Sequence, residues 1–235
     1  MPASPVILVT GFETFAEFKT NASQVVVEHL AEYTARGPVA SRLYALHTDV
    51  LPVAGRVAPA RLVERLEQLQ PDIVLCLGIA RVEQINVERV AVNLCDYRIP
   101  DRDGNQRIDE PIVEDGPTAY FSSLPVRAIV HACHEAGIPA SISLTAGAYL
   151  CNEVFYTLRH WQNSRHDPSR RVAGAGATTP GISAIGGFIH LPLLPAEAAR
   201  QSRPTPSMPL DLQLEAIAIA IATCIRASES HDSVV

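Results

Sequence analysis

The sequence predicts an α/β protein: a single three-layer α/β/α domain with a largely parallel, mixed central sheet. Three observations carry that expectation. Short unbroken apolar runs at Val6–Val9, Ile73–Leu77 and Ala140–Leu144 end at turn residues, the pattern of strands buried on both faces. Stretches of helical period lie between them, so strands and helices alternate along the chain. No linker, composition break or internal repeat interrupts the 235 residues. A chain of that length buries roughly 70% of its unfolded surface and needs no staples. One catalytic-sized unit over 1–235 is expected.

Each element follows in order. Val6–Val9 is stopped by Thr10-Gly11, and Asn21-Ala22-Ser23 offers capping side chains to a helix through Val25, Val26, His29 and Leu30. Ala58–Gln70 reads as a second helix with Leu62, Val63, Leu66 and Leu69 on one face, ended by Pro71-Asp72. Ile73–Leu77 runs to Gly78, and Val90–Leu94 reads as a further strand. Residues 100–117 are rich in Asp, Gly, Pro and Asn, a long loop that is either functional or an arm. Val126–Ala136 is a helix closed by Gly137, and Ala140–Leu144 a third buried strand. Thr145-Ala146-Gly147 then turns into a helix from Tyr149 to Trp161. Residues 163–183 are polar and Gly/Ala-rich, hence a flexible loop. Gly187–His190 is a last strand, stopped by Pro192. Leu212–Arg226 is an amphipathic terminal helix, which leaves 227–235 as a disordered tail. The pattern does not place the segment around His47. In such sheets ligands gather beyond the carboxyl ends of strands, which nominates the turns after Val9, Leu77, Leu144 and Ile189.

Composition excludes several classes. Lys+Arg total 19 against 25 Asp+Glu, a net charge of -6, which argues against a nucleic-acid-binding surface. Lys19 is the sole lysine, so almost no lysine is left for catalysis. The five cysteines (76, 95, 133, 151 and 224) are odd in number and form no C-x-x-C pair, which points to free thiols in a reducing compartment rather than a disulfide framework. Met1–Pro5 has no basic n-region and Val6–Val9 is too short for a signal h-region. Ala216–Ile225 covers about half a bilayer span. A cytoplasmic protein without membrane contact is expected. No His/Cys/Asp/Glu group has metal-ligand spacing, Gly174-Ala175-Gly176 lacks a following Lys-Ser/Thr, and no GxSxG is present. No metal or cofactor is expected.

Cys151 lies just after one of the nominated turns. In the first turn of a helix the thiolate of a cysteine is favoured, which suits a nucleophile; the alternative is a small buried hydrophobe. His190 ends an apolar strand and faces the same region, as a general base or as a hydrogen-bonded structural histidine. Glu88 either orients that imidazole or forms a salt bridge with Arg89 or Arg98. Arg98 either steers a substrate and stabilises an oxyanion, or is pinned by Asp96 or Asp101.

Several segments together resemble the type I pyroglutamyl peptidases (pyrrolidone-carboxylate peptidases). They are Val9-Thr-Gly-Phe-Glu-Thr-Phe15, Glu88-Arg-Val-Ala-Val-Asn93 with Arg98-Ile-Pro-Asp101 and Gly104-Asn105, and Asp109-Glu-Pro-Ile112 with Gly116-Pro-Thr-Ala-Tyr-Phe121. Thr145-Ala-Gly147 with Cys151-Asn152, and Gly187-Phe-Ile-His190 with Pro192 and Pro195, complete the series. The resemblance implies a cytosolic cysteine peptidase that removes an N-terminal pyroglutamyl residue through a thioacyl enzyme. It implies Cys151 as nucleophile, His190 as base and Glu88 as orienting acid. It also implies a pocket formed by Phe12, Phe15, Val53, Ile99, Tyr149 and Leu150, with Arg98 near the oxyanion. The implied partners are small peptides with N-terminal pyroglutamate, with no nucleic acid and no membrane, and a homodimer or homotetramer in which the 100–117 arm can take part. Two other readings stand beside it: a thiol amidase of the same fold acting on another cyclic or blocked acyl group, and a non-catalytic binder of pyroglutamyl peptides. The sequence departs from the family at Thr14, at Ala16-Glu17 in place of Gly-Gly, at Ala22, and in the shortened turn Gly78–Glu83, which bears on affinity rather than on the trio.

Overall fold

The computed structural model describes residues 4–36, 44–166 and 184–232. The apolar runs form β1 (Val6–Phe12), β3 (Ile73–Ile79) and β8 (Ile185–Leu191), each extending past the run that predicts it. They lie side by side and parallel, Ile7 beside Ile73 and Ile73 beside Ile185. β2 (Ala45–Leu51) adds parallel to β1 as an edge strand. It holds His47, and only Leu51 is buried there, so the segment lacks the apolar signal of a central strand.

On the far side β4 (Ile85–Glu88) runs antiparallel to β8 and parallel to β7 (Ala140–Ser143), giving the order β2-β1-β3-β8-β4-β7. The sheet is therefore mixed and largely parallel. The expected strand Val90–Leu94 shortens to its first three residues, and Arg89 separates it from an unexpected strand, β4. Glu88 ends β4, whereas β5 (Val90–Val92) leaves the central sheet and pairs with β6 (Ala119–Phe121) in a two-stranded arm. β7 is an edge strand and half-buried rather than buried, and Leu144 beyond it is 73% exposed.

The side-chain period of two sorts the core into two layers. Ile7, Val9, Leu75, Leu77, Val87, Ile189 and Leu191 face α1 (Ala22–Arg36), α3 (Val126–Glu135) and α6 (Leu210–Asp232). Leu8, Val74, Cys76 and Phe188 face α2 (Val57–Leu69) and α4 (Leu150–His166). By the same alternation Asn86, Glu88 and His190 belong to the α4 face.

Both ends of the helical expectations shift. Residues 163–166 are the last turn of α4, not loop; residues 167–183 lie outside the described residues. Residues 227–232, expected as tail, continue α6, because adding a residue to a formed helix fixes few dihedrals for one further hydrogen bond. Among the described residues no helix is long and apolar enough to cross a membrane.

Polar pins close the start of the sheet onto its helices. Asp72 Oδ2 accepts the Val6 N–H at 2.7 Å. Ser23 Oγ accepts the Phe12 N–H at 3.0 Å, and Asn21 Oδ1 accepts from the Ser23 N–H and hydroxyl. This brings β1 so near to α1 that a Cβ on Gly11 would lie 2.4 Å from the Ser23 carbonyl oxygen. Gly11→Ala is expected to destabilise the fold by roughly 1–3 kcal/mol in urea unfolding, as over-packing against backbone does; wild-type stability would contradict the close approach.

Candidate active site

The antiparallel pairing of β4 with β8 sets Asn86 opposite His190. Glu88, two residues on, lies diagonally across from His190 on the same face. His190 Nδ1 stands 2.8 Å from Glu88 Oε1, with the residues 5% and 1% exposed. An ionised carboxylate only accepts, so Nδ1 carries the proton and Nε2 is left for another partner. Glu88 is thus held by His190 and not by Arg89, whose guanidinium lies 5.3 Å from the Phe121 ring centre.

The group near enough to act on that imidazole is the Cys151 thiol, whose interaction favours the charged ring. Cys151 is the second residue of α4 and half-buried, while the other four thiols are buried. Burial pushes Cys76, Cys95 and Cys224 up to about 12 and Cys133 up to about 11, so these stay neutral thiols. A glycine makes room for the sulfur. Gly78 pairs with His190 in the sheet, and a Cβ there would lie 2.9 Å from Cys151 Sγ and 2.8 Å from Phe188 Cζ.

The residue after the cysteine fixes the helix start. Asn152 is fully buried; its Oδ1 accepts the Val92 N–H and its Nδ2 donates to the Val92 and Leu94 carbonyls, each at 2.9 Å. Glu153 accepts from Arg107 at 2.7 Å and from the Tyr97 hydroxyl. The long loop between β5 and β6 is therefore ordered against α4. Its own turn is tied by Asp101, whose carboxylate accepts the N–H groups of Gly55, Asp103 and Asn105. Burial works against that charge, but the backbone donors outweigh it and hold Asp101 below the usual carboxylate range.

Beside Cys151 opens a cleft of about 220 Å³. Phe12, Phe15, Val53, Arg98, Ile99, Tyr149 and Leu150 all line it, together with Cys151. Asp101 is committed to backbone donors, so it does not pin Arg98. Ala16, Glu17, Phe18, Asn21 and Ile79 line it too and were not anticipated. Phe18 had a legible signal, a third phenylalanine in the same short loop as Phe15. Asn21 reads as a helix cap and does cap, which masks its place on the wall.

Burial disfavours a charged imidazole, but the interactions with Cys151 and then with Glu88 more than offset this, and His190 is pushed from 6.5 up to about 10. The imidazolium therefore persists through neutral pH. Its contribution to stability is whole below the ordinary imidazole value and is lost as pH rises through about 10. Removing the carboxylate charge in Glu88→Gln lowers that midpoint. NMR titration of the His190 ring is expected to show the fall, and identical midpoints in the two proteins would contradict the pairing. Gly78→Ala is expected to displace the sulfur and slow alkylation of Cys151 by iodoacetamide roughly tenfold or more, since about 1 Å of misplacement costs that much in reactivity. An unchanged rate would mean the glycine socket does not set the thiol's position.

The chain is similar to known proteins over nearly its whole length. Residues 6–227 match the family model for pyroglutamyl peptidase. A pyrrolidone-carboxylate peptidase of Brevibacillus brevis is 43% identical over 227 residues, covering 96% of this chain and 94% of its own length. That of Thermococcus litoralis is 38% identical over 220 residues, covering 92% and 90%. Among solved structures, pyroglutamyl peptidase I of Bacillus amyloliquefaciens superposes with a TM-score of 0.80 at 36% identity, covering 95% of this chain and 98% of that one. With its motifs in order and its fold matched over nearly the whole length, this chain belongs to the pyroglutamyl peptidase family.

Proposed function

We propose that the protein is a cysteine peptidase that removes an N-terminal pyroglutamyl residue from peptides. The observation that carries this reading is the chain Glu88–His190–Cys151 opening onto a cleft walled by Phe12, Phe15 and Phe18. A pyroglutamyl group has no free amine to anchor by charge. Its flat lactam suits an aromatic slot of this size.

The chemistry follows from the protonation state. The Cys151 thiolate attacks the carbonyl carbon that joins pyroglutamate to the next residue, and the carbon–oxygen π pair moves onto oxygen. The first N–H groups of α4 have no intrahelical acceptor, and with Arg98 on the cleft lining they are the donors this reading assigns to the developing charge. Collapse breaks the carbon–nitrogen bond, and the His190 imidazolium gives its Nε2 proton to the departing amine. Acylation removes the thiolate, the first of the groups that keep His190 charged. The imidazole then accepts a proton from the water that attacks the thioacyl carbon, and the carbon–sulfur bond breaks to release pyroglutamate and leave the thiolate beside the re-formed imidazolium.

A pyroglutamyl fluorogenic amide should be hydrolysed by the wild type. Cys151→Ser should lower kcat by roughly a thousandfold or more, since a nucleophile acting as a unit with its base carries most of the rate. Full activity in that variant would remove Cys151 from the mechanism. Labelling of Cys151 by a thiol probe without cleavage of pyroglutamyl amides would instead favour a thiol amidase for another cyclic acyl group.

A further inference from the structure

The cleft has two walls of different character. One is α4 and the loop that braces it. The other is the segment 13–21 between β1 and α1, which carries Phe15 and Phe18. This second wall holds Ala16 at a φ of 57°, a left-handed conformation that an alanine adopts at a cost of ~1–2 kcal/mol. Contacts with the rest of the molecule must hold it in place.

Three acidic side chains do so, and they are not equal. Glu13 accepts the Val53 N–H at 2.9 Å and pairs with Arg102 at the near end. Glu17 pairs with Arg81 at 3.0 Å, but both side chains are more than half exposed, so this contact contributes little. Glu197 is 1% exposed, and its Oε2 accepts the Lys19 N–H at 3.2 Å and the Thr20 N–H and hydroxyl at 3.1 Å each. Its other oxygen, Oε1, is buried without a hydrogen-bond partner among the described residues. A carboxylate taken out of water is costly unless charge-assisted hydrogen bonds offset it. Here those bonds go to the wall segment, with Arg200 the nearest counter-charge at 3.6 Å. Glu197 sits in α5 (Pro195–Ala198), the turn of helix that follows β8 and hence follows His190.

We propose that Glu197 is a positioning residue for the acyl pocket. Its buried carboxylate ties the wall bearing Phe15 and Phe18 to the segment leading from His190, so it sets affinity for the cyclic acyl group and takes no part in making or breaking bonds. This rests on the reading of the cleft as a pyroglutamyl pocket. Arg81 and Glu17 close the exposed rim of the same wall, and the Arg81 guanidinium lies 5.7 Å from the Phe18 ring centre. Their contact is a secondary fixture that leaves the buried tether in charge of the geometry.

The test compares Glu197→Ala and Glu197→Gln with the wild type. In Glu197→Ala the Lys19 and Thr20 amides should exchange hydrogen roughly tenfold faster or more, because their acceptor is gone. KM for a pyroglutamyl amide should rise roughly tenfold with kcat within about threefold, the signature of lost ground-state binding. Alkylation of Cys151 by iodoacetamide should stay within about twofold, since the thiol and His190 are not touched. Glu197→Gln keeps a carbonyl oxygen to accept the same bonds and should restore KM to within about threefold. Unchanged amide exchange and KM in Glu197→Ala would overturn the tether. A parallel loss of kcat, KM and alkylation in both variants would make Glu197 a general stability residue and overturn it as well. If the wild type cleaves no pyroglutamyl amide, the function fails on its own, while the amide exchange still reads the tether.

Discussion

Two ionisable groups, Glu88 and His190, are buried together in the central sheet, and the surrounding architecture answers to that burial. Taking either alone out of water is prohibitive, and removing one partner from such a pair typically costs about 3–5 kcal/mol. The pair exists because β4 runs against β8 in a sheet whose other central strands run parallel. Only an antiparallel neighbour with this register sets Glu88 diagonally across from His190 on the α4 face. Both side chains therefore spring from hydrogen-bonded backbone, and the imidazole is oriented before any substrate arrives. Glu88 Oε2 has no hydrogen-bond partner among the described residues, so its desolvation is offset chiefly through the imidazolium.

The proposed nucleophile is placed by a different device. Cys151 is on a helix, not a strand, and a helix can slide or tilt over a sheet. Asn152 and Glu153 prevent this by bonding to the loop that runs from β5 to β6, so that a segment resembling a surface arm becomes the brace of the first helical turn. Tyr97, fully buried within that segment, packs edge-on against Tyr149 at 4.6 Å between ring centres and adds its hydroxyl to Glu153. Position on the helix comes from the brace, and depth over the sheet comes from the missing side chain at Gly78.

Local pattern made the central strands legible, because a run such as Ile73–Leu77 can only be stable where both faces are covered. It also marked the strand ends at which His190 and Cys151 sit. It did not reveal β4. Four residues with one acid at the end carry little periodicity, and the partner that defines their role lies 102 residues away. The division at Arg89 was equally hidden, since two strands in different sheets follow one another without a turn residue. β2 escaped because an edge strand with a single buried residue needs no apolar run. The long motif blocks supplied the trio where register could not, and they named the pocket residues that proved to share one cleft. Glu197 lies just beyond the last of those blocks, and only the fold brings it to Lys19 and Thr20.

The left-handed alanine at position 16 has a consequence for how such a protein can diverge. The segment around it is strained and fastened from outside, whereas the reacting groups stand on the sheet and on a braced helix. Substitutions in the segment or at its fasteners can therefore reshape what enters the cleft while the reacting atoms keep their spacing. Selection can alter preference for the acyl group at low cost to the underlying chemistry, and the departure expected from the family pattern at Ala16-Glu17 falls on that adaptable side of the site.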